Sequence, residues 1–241
     1  MKLVYFFGNG SADGNSHEKE LLGGKGANLA EMTNLNIPVP PGFTITTDVC
    51  RYFMDNNILP NELKKEVVSS VRRVEAIMQK RFGDANNPLL VSVRSGAKIS
   101  MPGMMETVLN VGLTESTVRG LAQSSKNPRF AYDSYRRLIM MYADVVMEKS
   151  NNISDDDNGI RHKLEECMNT LKTKRNCEKD TDLDENDLKS LCEQFKKIIK
   201  DSFGDEFPDD PQTQLWNTIK AVFNSWDGGR AKNYRNIESI S

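Results

Sequence analysis

The segment that decides how this chain folds lies near its N-terminus and reads Leu22-Gly23-Gly24-Lys25-Gly26-Ala27-Asn28. Glycine has no Cβ, so peptide N–H groups in such a segment can face an anion without steric penalty. Gly26 to Asn34 is predicted to form a short helix opened by the glycines, and a helix N-terminus suits a phosphate group. The GxxxxGK[ST] spacing of a P-loop is absent, so the segment alone also fits a glycine-rich turn with a solvated lysine.

A second glycine-containing segment carries an arginine where a strand is predicted to end. Leu89 to Val93 reads as a buried strand, and Arg94 leads directly from it into Ser95-Gly96. The planar guanidinium matches phosphate oxygens in a bidentate manner. A charged group at the end of an apolar strand must reach water or have a partner. The alternative is therefore a structural arginine paired with a carboxylate at the core edge.

A methionine-rich loop follows this arginine and reads Met101-Pro102-Gly103-Met104-Met105-Glu106. It leads into a second predicted strand, Thr107 to Val111, so sheet is expected at both ends of the loop. Backbone N–H groups near Gly103 can lie over a phosphate chain, and flexible methionines adapt to what they cover. The alternative is that Met104 and Met105 fill the core. A lysine and an arginine that converge, Lys25 and Arg94, suggest a polyphosphate ligand and favour a nucleotide-handling enzyme.

Composition excludes several other classes of protein. The 241 residues carry a net charge of −2, with no clustered basic patch of the kind that binds nucleic acid. No apolar run approaches the roughly 20 residues that a membrane-spanning helix needs. The apolar start, Met1 to Phe7, is too short for a signal peptide and reads as a strand. The four cysteines show no CxxC pair and are expected to be reduced thiols, which favours the cytoplasm and leaves an organelle open.

The first part of the chain mixes strands and helices, which predicts an α+β fold. Leu3 to Phe7 and Phe43 to Thr46 read as strands. Apolar residues recur at helical spacing from Leu63 to Phe82, which predicts one amphipathic helix ended by Gly83. We therefore assign residues 1–113 to an α/β nucleotide-binding subdomain.

The second part reads as mainly helical, and residues 114–241 are assigned to a helical subdomain. Long helices are predicted over Phe130 to Lys149, Arg161 to Thr173, Asn186 to Ser202 and Gln212 to Trp226. The final residues, Ile237 to Ser241, contain no obvious helix terminator, so the sequence is expected to continue in a longer protein.

Two acidic clusters and two histidines have plain structural explanations. Ser154 to Gly159, with Glu165, departs from a calcium-binding EF-hand loop at its first ligand, and Asp180 to Glu185 departs from it at the glycine and glutamate positions. Both clusters are expected to be solvated loops and helix caps. His17 and His162 lie in polar surroundings, so both are expected at the surface.

At this point the residues resemble a known family, pyruvate phosphate dikinase, in its N-terminal ATP-grasp nucleotide-binding region. The resemblance extends over almost the whole chain, to about Asp227. The matching motifs are Leu21-Leu22-Gly23-Gly24-Lys25-Gly26-Ala27-Asn28-Leu29-Ala30-Glu31-Met32, Pro41-Gly42-Phe43-Thr44-Ile45-Thr46-Thr47, Pro88-Leu89-Leu90-Val91-Ser92-Val93-Arg94-Ser95-Gly96-Ala97, Ser100-Met101-Pro102-Gly103-Met104-Met105 and Asn127-Pro128-Arg129-Phe130-Ala131-Tyr132-Asp133-Ser134-Tyr135-Arg136-Arg137.

The resemblance implies a three-part enzyme: an ATP-grasp domain with a small mixed sheet and helices, a swivelling domain with a phosphocarrier histidine, and a pyruvate-binding barrel. The family interconverts ATP, phosphate and pyruvate with AMP, pyrophosphate and phosphoenolpyruvate, using Mg²⁺. Lys25 and Arg94 resemble the catalytic, phosphate-contacting cations of the family. Gly103, Met105, Glu106 and Thr107 resemble its loop over the polyphosphate. Arg136 and Arg137 resemble a basic face near the docking histidine domain.

The same resemblance implies that much of the enzyme lies outside this chain. The magnesium ligands, the phosphohistidine and the homodimer contacts of the family are expected beyond Ser241, so no metal ligand is assigned here. One departure is Asp227-Gly228-Gly229-Arg230, where the family usually has a proline before the arginine. We expect this chain alone to be inactive. Two alternatives stay open: the N-terminal part of a phosphoenolpyruvate synthase, and a non-catalytic docking module.

Overall fold

The computed structural model describes residues 2–99, 101, 103, 105–149 and 159–238. Their fold is mixed, with small sheets and many helices, which confirms the predicted α+β class. The residues form two compact units. The first comprises 1–81, 94–106 and 223–241, and the second comprises 82–93 and 107–222. The division at residue 113 made from the sequence is a partition along the chain and stays a prediction.

The bounds of the elements follow the chain order. The strands are β1 (Val4–Gly8), β2 (Ser11–Ala12), β3 (Gly42–Ile45), β4 (Arg81–Phe82), β5 (Pro88–Leu89), β6 (Val91–Arg94) and β7 (Thr107–Val111). The helices are α1 (Lys19–Asn34), α2 (Thr47–Asn56), α3 (Leu63–Met78), α4 (Glu115–Ser125), α5 (Pro128–Tyr142), α6 (Ile160–Arg175), α7 (Glu185–Phe203), α8 (Pro211–Asn224) and α9 (Gly229–Glu238). A π-helical segment, Ala143–Glu148, continues α5.

The first unit is built on an antiparallel sheet in the order β2-β1-β3. The two predicted strands are confirmed, and the structure pairs them directly, Val4 with Ile45 and Phe7 with Gly42. Helices α1 and α3 both pack against β1, where Val4 and Phe6 are buried. The Glu66 carboxylate on α3 accepts the N–H groups of Leu3 and Val4, each at 2.9 Å. Charge-assisted hydrogen bonds of this kind fix the sheet against the helix that supplies the carboxylate.

The second unit consists of two short strand pairs, β4-β5 and β6-β7, with helices around α5. Helix α5 packs against α4, α7 and β7, and its Leu138 and Ile139 are fully buried. Helix α7 buries Leu188, Leu191 and Phe195, the apolar face expected from its helical period. The predicted helices of this part are confirmed, with boundaries shifted by a few residues.

The helix predicted from Leu63 to Phe82 is too long, because α3 ends at Met78. Gln79 adopts a left-handed conformation with φ of 51° and terminates the helix. Met78 is 41% exposed, so the apolar period does not continue on a buried face there. Phe82 instead belongs to β4 and lies over Gly112, where an added Cβ would meet its ring at 2.8 Å.

The buried strand predicted from Leu89 to Val93 is also wrong in its bounds and burial. Leu90 separates two short strands, and only Pro88 and Leu89 are buried. In β6 half-buried valines alternate with the exposed Ser92 and Arg94. Such alternation is typical of a strand with one solvated face rather than a fully buried one. The strand predicted from Thr107 to Val111 is confirmed as β7.

Candidate functional site

The glycine-rich segment lies inside α1 and produces a kink there. Helix α1 begins at Lys19, earlier than the Gly26 start predicted from the sequence, and Gly23 interrupts it with φ of 68° and ψ of 168°. The helix continues after the kink, which leaves Lys25 exposed in the turn that follows. The sequence predicted the helix from Gly26 onward and missed both the kink at Gly23 and the helical turn in front of it.

Two glycines of α1 contact the residues that follow Arg94. The N–H of Gly24 donates to the carbonyl of Ala97 at 2.9 Å. An ideal Cβ on Gly23 would lie 1.2 Å from the carbonyl oxygen of Gly96. The prediction that these glycine N–H groups face an anion is therefore wrong for Gly24, whose donor already has a protein partner. The glycines instead join the segment with Lys25 to the segment with Arg94.

Lys25 and Arg94 are both exposed, and both belong to the first unit. Within the described part of the chain, neither side chain forms a hydrogen bond or an ion pair. The alternative of a structural arginine paired with a carboxylate at the core edge therefore has no support among these residues. Both cations remain available to an external anion.

The described residues of the segment 95–106 lie in the loop between β6 and β7. Ser95 and Met101 are buried at its start and middle. Gly103 is exposed with φ of 73°, and an added Cβ there would meet no described atom within 4 Å. Met105 and Glu106 are half-buried, and the N–H of Glu106 donates to Ser225 Oγ at 3.4 Å. The loop is therefore packed at several points and open at Gly103.

The predicted loop ends at β7, and part of it lies outside the described residues. Thr107 is the first residue of β7 and is half-buried. Met104, which the alternative interpretation places in the core, lies outside the described residues. An ion pair between Lys98 and Glu20 was missed by sequence reasoning, because two charges on an otherwise unremarkable loop and helix carry no spacing signal. This ion pair adds a side-chain contact to the backbone contacts between the loop and α1.

Where the structure describes them, the histidines lie at the surface and the second acidic cluster caps a helix. His17 and His162 are exposed. Asp184 caps α7 by accepting the N–H of Asp187 at 2.9 Å, which confirms the helix-cap assignment of the cluster from Asp180 to Glu185. The cluster from Ser154 to Gly159 lies largely outside the described residues. Over the described ranges, no group of three or more His, Cys, Asp or Glu side chains is arranged to hold a metal ion.

Two of the four cysteines, Cys50 and Cys192, have pKa values well above the ordinary value of a thiol. All four are free thiols. Burial raises the pKa of Cys50 to about 11, with the Asp227 carboxylate adding to the rise. Burial likewise raises the pKa of Cys192 to about 12. Both thiols are protonated at neutral pH, and the thiol is not the nucleophilic form.

The basic helix face expected at Arg136 and Arg137 is not present as predicted. Arg136 is only 3% exposed and its Nη2 lies 2.6 Å from an Asp133 carboxylate oxygen. Arg137 is exposed, but its Nε donates to the other carboxylate oxygen of Asp133 at 2.9 Å. Arg136 therefore stabilises the core of the second unit and offers no charge to a docking domain.

The described site is suited to binding an anion rather than to covalent catalysis. It supplies two unpaired cations on segments that touch through their backbones, with an open glycine nearby along the chain. Polyphosphates are recognised in this way, since positioning and neutralisation of charge dominate phosphoryl-transfer sites. The class of protein that combines this α+β fold with such a site is a nucleotide-binding domain.

Comparison with known families defines the class further. The family model for the pyruvate phosphate dikinase AMP/ATP-binding domain matches residues 19–65 and 56–241. The chain belongs to this family.

Curated relatives agree with the family assignment. The chain is 46% identical over 241 residues to a pyruvate, phosphate dikinase of Clostridium symbiosum, covering 99% of this chain and 26% of that protein. It is 47% identical over 239 residues to pyruvate, phosphate dikinase 2 of Oryza sativa subsp. japonica, covering 99% of this chain and 26% of that protein. A chloroplastic pyruvate, phosphate dikinase of Flaveria pringlei is 47% identical over 242 residues, covering 100% of this chain and 24% of that protein. The chain thus spans about a quarter of the length of these relatives.

No helix among the described residues is long and apolar enough to cross a membrane.

Proposed function

We propose that this chain binds the triphosphate of ATP through Lys25 and Arg94. The observation that supports the proposal most directly is the exposure of both cations without a protein partner in the described chain, on segments held together at Gly23 and Gly96. Cations that serve only the fold usually pair with carboxylates, as Arg136 does with Asp133. Lys25 supplies a compact point charge, and Arg94 supplies a planar fork of donors.

In this proposal the chain is the nucleotide-binding part of a pyruvate phosphate dikinase. The whole enzyme converts ATP, phosphate and pyruvate to AMP, pyrophosphate and phosphoenolpyruvate through a phosphohistidine on another domain. Gly103, Met105, Glu106 and Thr107 belong to the loop that covers the polyphosphate, and the domain is of the ATP-grasp type. Lys25 and Arg94 neutralise the phosphate charge, and this electrostatic stabilisation is a main contribution to phosphoryl transfer.

The further partners also belong to the proposal. The swivelling phosphohistidine domain of the same polypeptide and a homodimer are assigned to the full-length protein. Mg²⁺ is assigned to the nucleotide site of the full-length protein, with its ligands mostly outside this chain. The expected cytoplasmic location is likewise a proposal, since some relatives are chloroplastic proteins by name.

Substitution of the two cations tests the proposal. Lys25→Ala and Arg94→Ala should each weaken ATP binding by about 1.5–3 kcal/mol, because each removes a charge-assisted contact. This corresponds to a roughly 10- to 150-fold rise in Kd, which isothermal titration calorimetry measures. Matched controls are Lys64→Ala and Arg72→Ala, which remove exposed cations from α3 of the same unit. Unchanged Kd in both site variants would contradict the proposal and favour the docking module.

Turnover tests the assignment of the chain to a part of the enzyme. Incubation of the 241-residue chain with ATP, phosphate and pyruvate should yield no AMP above the background, although ATP binds. Appreciable AMP formation would show that these residues suffice for the reaction. A requirement of the full-length protein for inorganic phosphate separates a dikinase from a phosphoenolpyruvate synthase.

A further inference from the structure

Gly23 adopts a backbone conformation that the other residue types almost never adopt. Its φ of 68° and ψ of 168° lie in a region populated essentially by glycine alone. An ideal Cβ at this position would lie 1.2 Å from the carbonyl oxygen of Gly96 and 2.3 Å from its carbonyl carbon. Ordinary contacts between non-bonded heavy atoms are about 3.5–4.0 Å. The absent side chain therefore makes room for the backbone of the residue that follows Ser95.

Two further contacts hold the same stretch of backbone against α1. The N–H of Gly24 donates to Ala97 O at 2.9 Å, and a Cβ on Gly24 would lie 2.9 Å from Lys98 O. The Lys98 ammonium forms an ion pair with Glu20 one turn earlier on α1. We call residues 96–98 the anchored stem of the loop. Farther along this loop, at Gly103, an added Cβ would meet no described atom within 4 Å.

The anchored stem joins the two candidate phosphate-binding residues at the level of the backbone. Lys25 follows Gly23 by two residues, and Arg94 precedes Gly96 by two residues. Among the described residues neither side chain has a hydrogen bond or ion pair that would orient it. Among the described residues, the backbone contact is therefore the link between the two segments that carry these cations.

We propose that Gly23 is a positioning residue for the nucleotide site, and that its contact with Gly96 sets the distance between Lys25 and Arg94. The inference rests on the proposed function, in which both cations bind one triphosphate. Gly23 itself touches the anchored stem and acts on the ligand only through the placement of the two cations. A contact that fixes geometry matters because a misplacement of about 1 Å in a reacting site can cost about 100-fold in rate.

The first test compares two glycine substitutions at positive φ. Gly23→Ala should raise the Kd for Mg-ATP by about tenfold or more, because the new Cβ must displace the Gly96 carbonyl. The matched control is Gly204→Ala at the end of α7, where φ is 77° but a Cβ would meet nothing within 4 Å. This control should alter the stability and leave the Kd within about twofold of the wild type. Equal Kd values for Gly23→Ala and the wild type overturn the proposal.

A milder variant covers the case in which Gly23→Ala does not fold. Gly24→Ala places a Cβ 2.9 Å from Lys98 O, so the same stem must move, but by less than the 1.2 Å contact at Gly23 requires. It lies in a helical turn, where alanine is the better helix former. The Kd should rise by a smaller factor than for Gly23→Ala, while circular dichroism and thermal melting remain those of a folded chain. A folded Gly24→Ala variant with unchanged Kd also overturns the proposal.

A double-mutant cycle separates positioning from general destabilisation. Lys25→Ala should weaken ATP binding strongly in the wild-type background and by less than about twofold in the Gly23→Ala (or Gly24→Ala) background, because Lys25 is then already misplaced. Equal factors in the two backgrounds would show that the contact does not act through Lys25. If Lys25→Ala has no effect even in the wild-type background, the proposed function itself fails. The two failures are thus distinguished by one set of titrations.

Discussion

Replacement of Gln214 by leucine is expected to lower the free energy of unfolding by about 2–6 kcal/mol, because it leaves two buried backbone groups and the half-buried carbonyl of Pro208 without their partner. Gln214 on α8 has no exposed surface. Its Oε1 accepts the N–H of Gly112 at 2.9 Å, and its Nε2 donates to Leu113 O and Pro208 O, each at 2.8 Å. Leucine has a similar volume but can pair with none of these groups.

Chemical denaturation measures this effect. The midpoint in urea should fall for Gln214→Leu, while Gln123→Leu on the exposed face of α4 should change the free energy of unfolding by less than about 0.5 kcal/mol. Gln214→Glu keeps the acceptor for Gly112 but places a buried carboxylate oxygen against the two carbonyl oxygens, so its loss should be at least as large as that of Gln214→Leu. A loss below about 1 kcal/mol for Gln214→Leu would mean that water or a backbone shift satisfies the three groups.

The role of Gln214 also shows what the sequence could not predict. Gly112 closes β7, the strand that follows the candidate phosphate-binding loop, and both were predicted from local pattern. The glutamine that bonds to Gly112 lies 102 residues later in the chain. No spacing rule relates the two, because a side-chain hydrogen bond across the fold depends on packing that local periodicity does not encode.

Local signals predicted the elements with strong periodicity. Helix α7 and strand β7 were recognised because a buried helical face and an alternating strand each leave a repeating pattern. The end of α3 at Met78 was missed because the left-handed turn at Gln79 uses a residue with no strong turn preference. The break at Leu90 was missed because a continuous apolar run looks alike whether it forms one strand or two.

The charges proposed for the candidate site come from the sequence, and the backbone contact between their segments comes from the structure. Lys25 and Arg94 stand out because each follows or precedes glycines in a recognisable family motif. The contact between Gly23 and Gly96 has no sequence signature beyond the glycines themselves, which were interpreted as donors to a ligand. Glycine is required there because one backbone approaches another, a distinction that only coordinates reveal.

The second large effect concerns the charge cluster in the second unit. Asp133→Asn is expected to lower the free energy of unfolding at pH 7 by about 3–5 kcal/mol, because it removes the negative charge closest to the buried Arg136 guanidinium and leaves the Asp180 carboxylate, 3.6 Å from Nη2, in its place. Arg136 is 4% exposed in its side chain and donates to Asp133 through Nε and Nη2, at 3.1 and 2.6 Å. Its Nη1 lies 3.4 and 3.3 Å from the sulfur atoms of Met140 and Met168, which are weak acceptors.

The same carboxylate gives this effect a pH dependence of known sign. Burial raises the pKa of Asp133, but hydrogen bonds and attraction from Arg136 and Arg137 outweigh it, so its pKa lies below the ordinary value. A carboxyl with a lowered pKa stabilises the fold above its unfolded pKa of about 3.9, and that stabilisation is lost as the pH falls through the folded value. The difference between wild type and Asp133→Asn should therefore be full at pH 7 and shrink below about pH 4.

Urea denaturation at pH 7 and at pH 2–3 checks both the size and the sign of this effect. The control is Asp55→Asn, an exposed carboxylate on α2, which should show no comparable difference at either pH. The double variant Asp133→Leu/Arg136→Met should recover much of the loss, because apolar residues of similar volume can replace a buried ion pair next to Met140 and Met168. If Asp133→Asn lowers the free energy of unfolding by the same amount at pH 2–3 as at pH 7, the loss is caused by packing. The ion pair would then not be its cause.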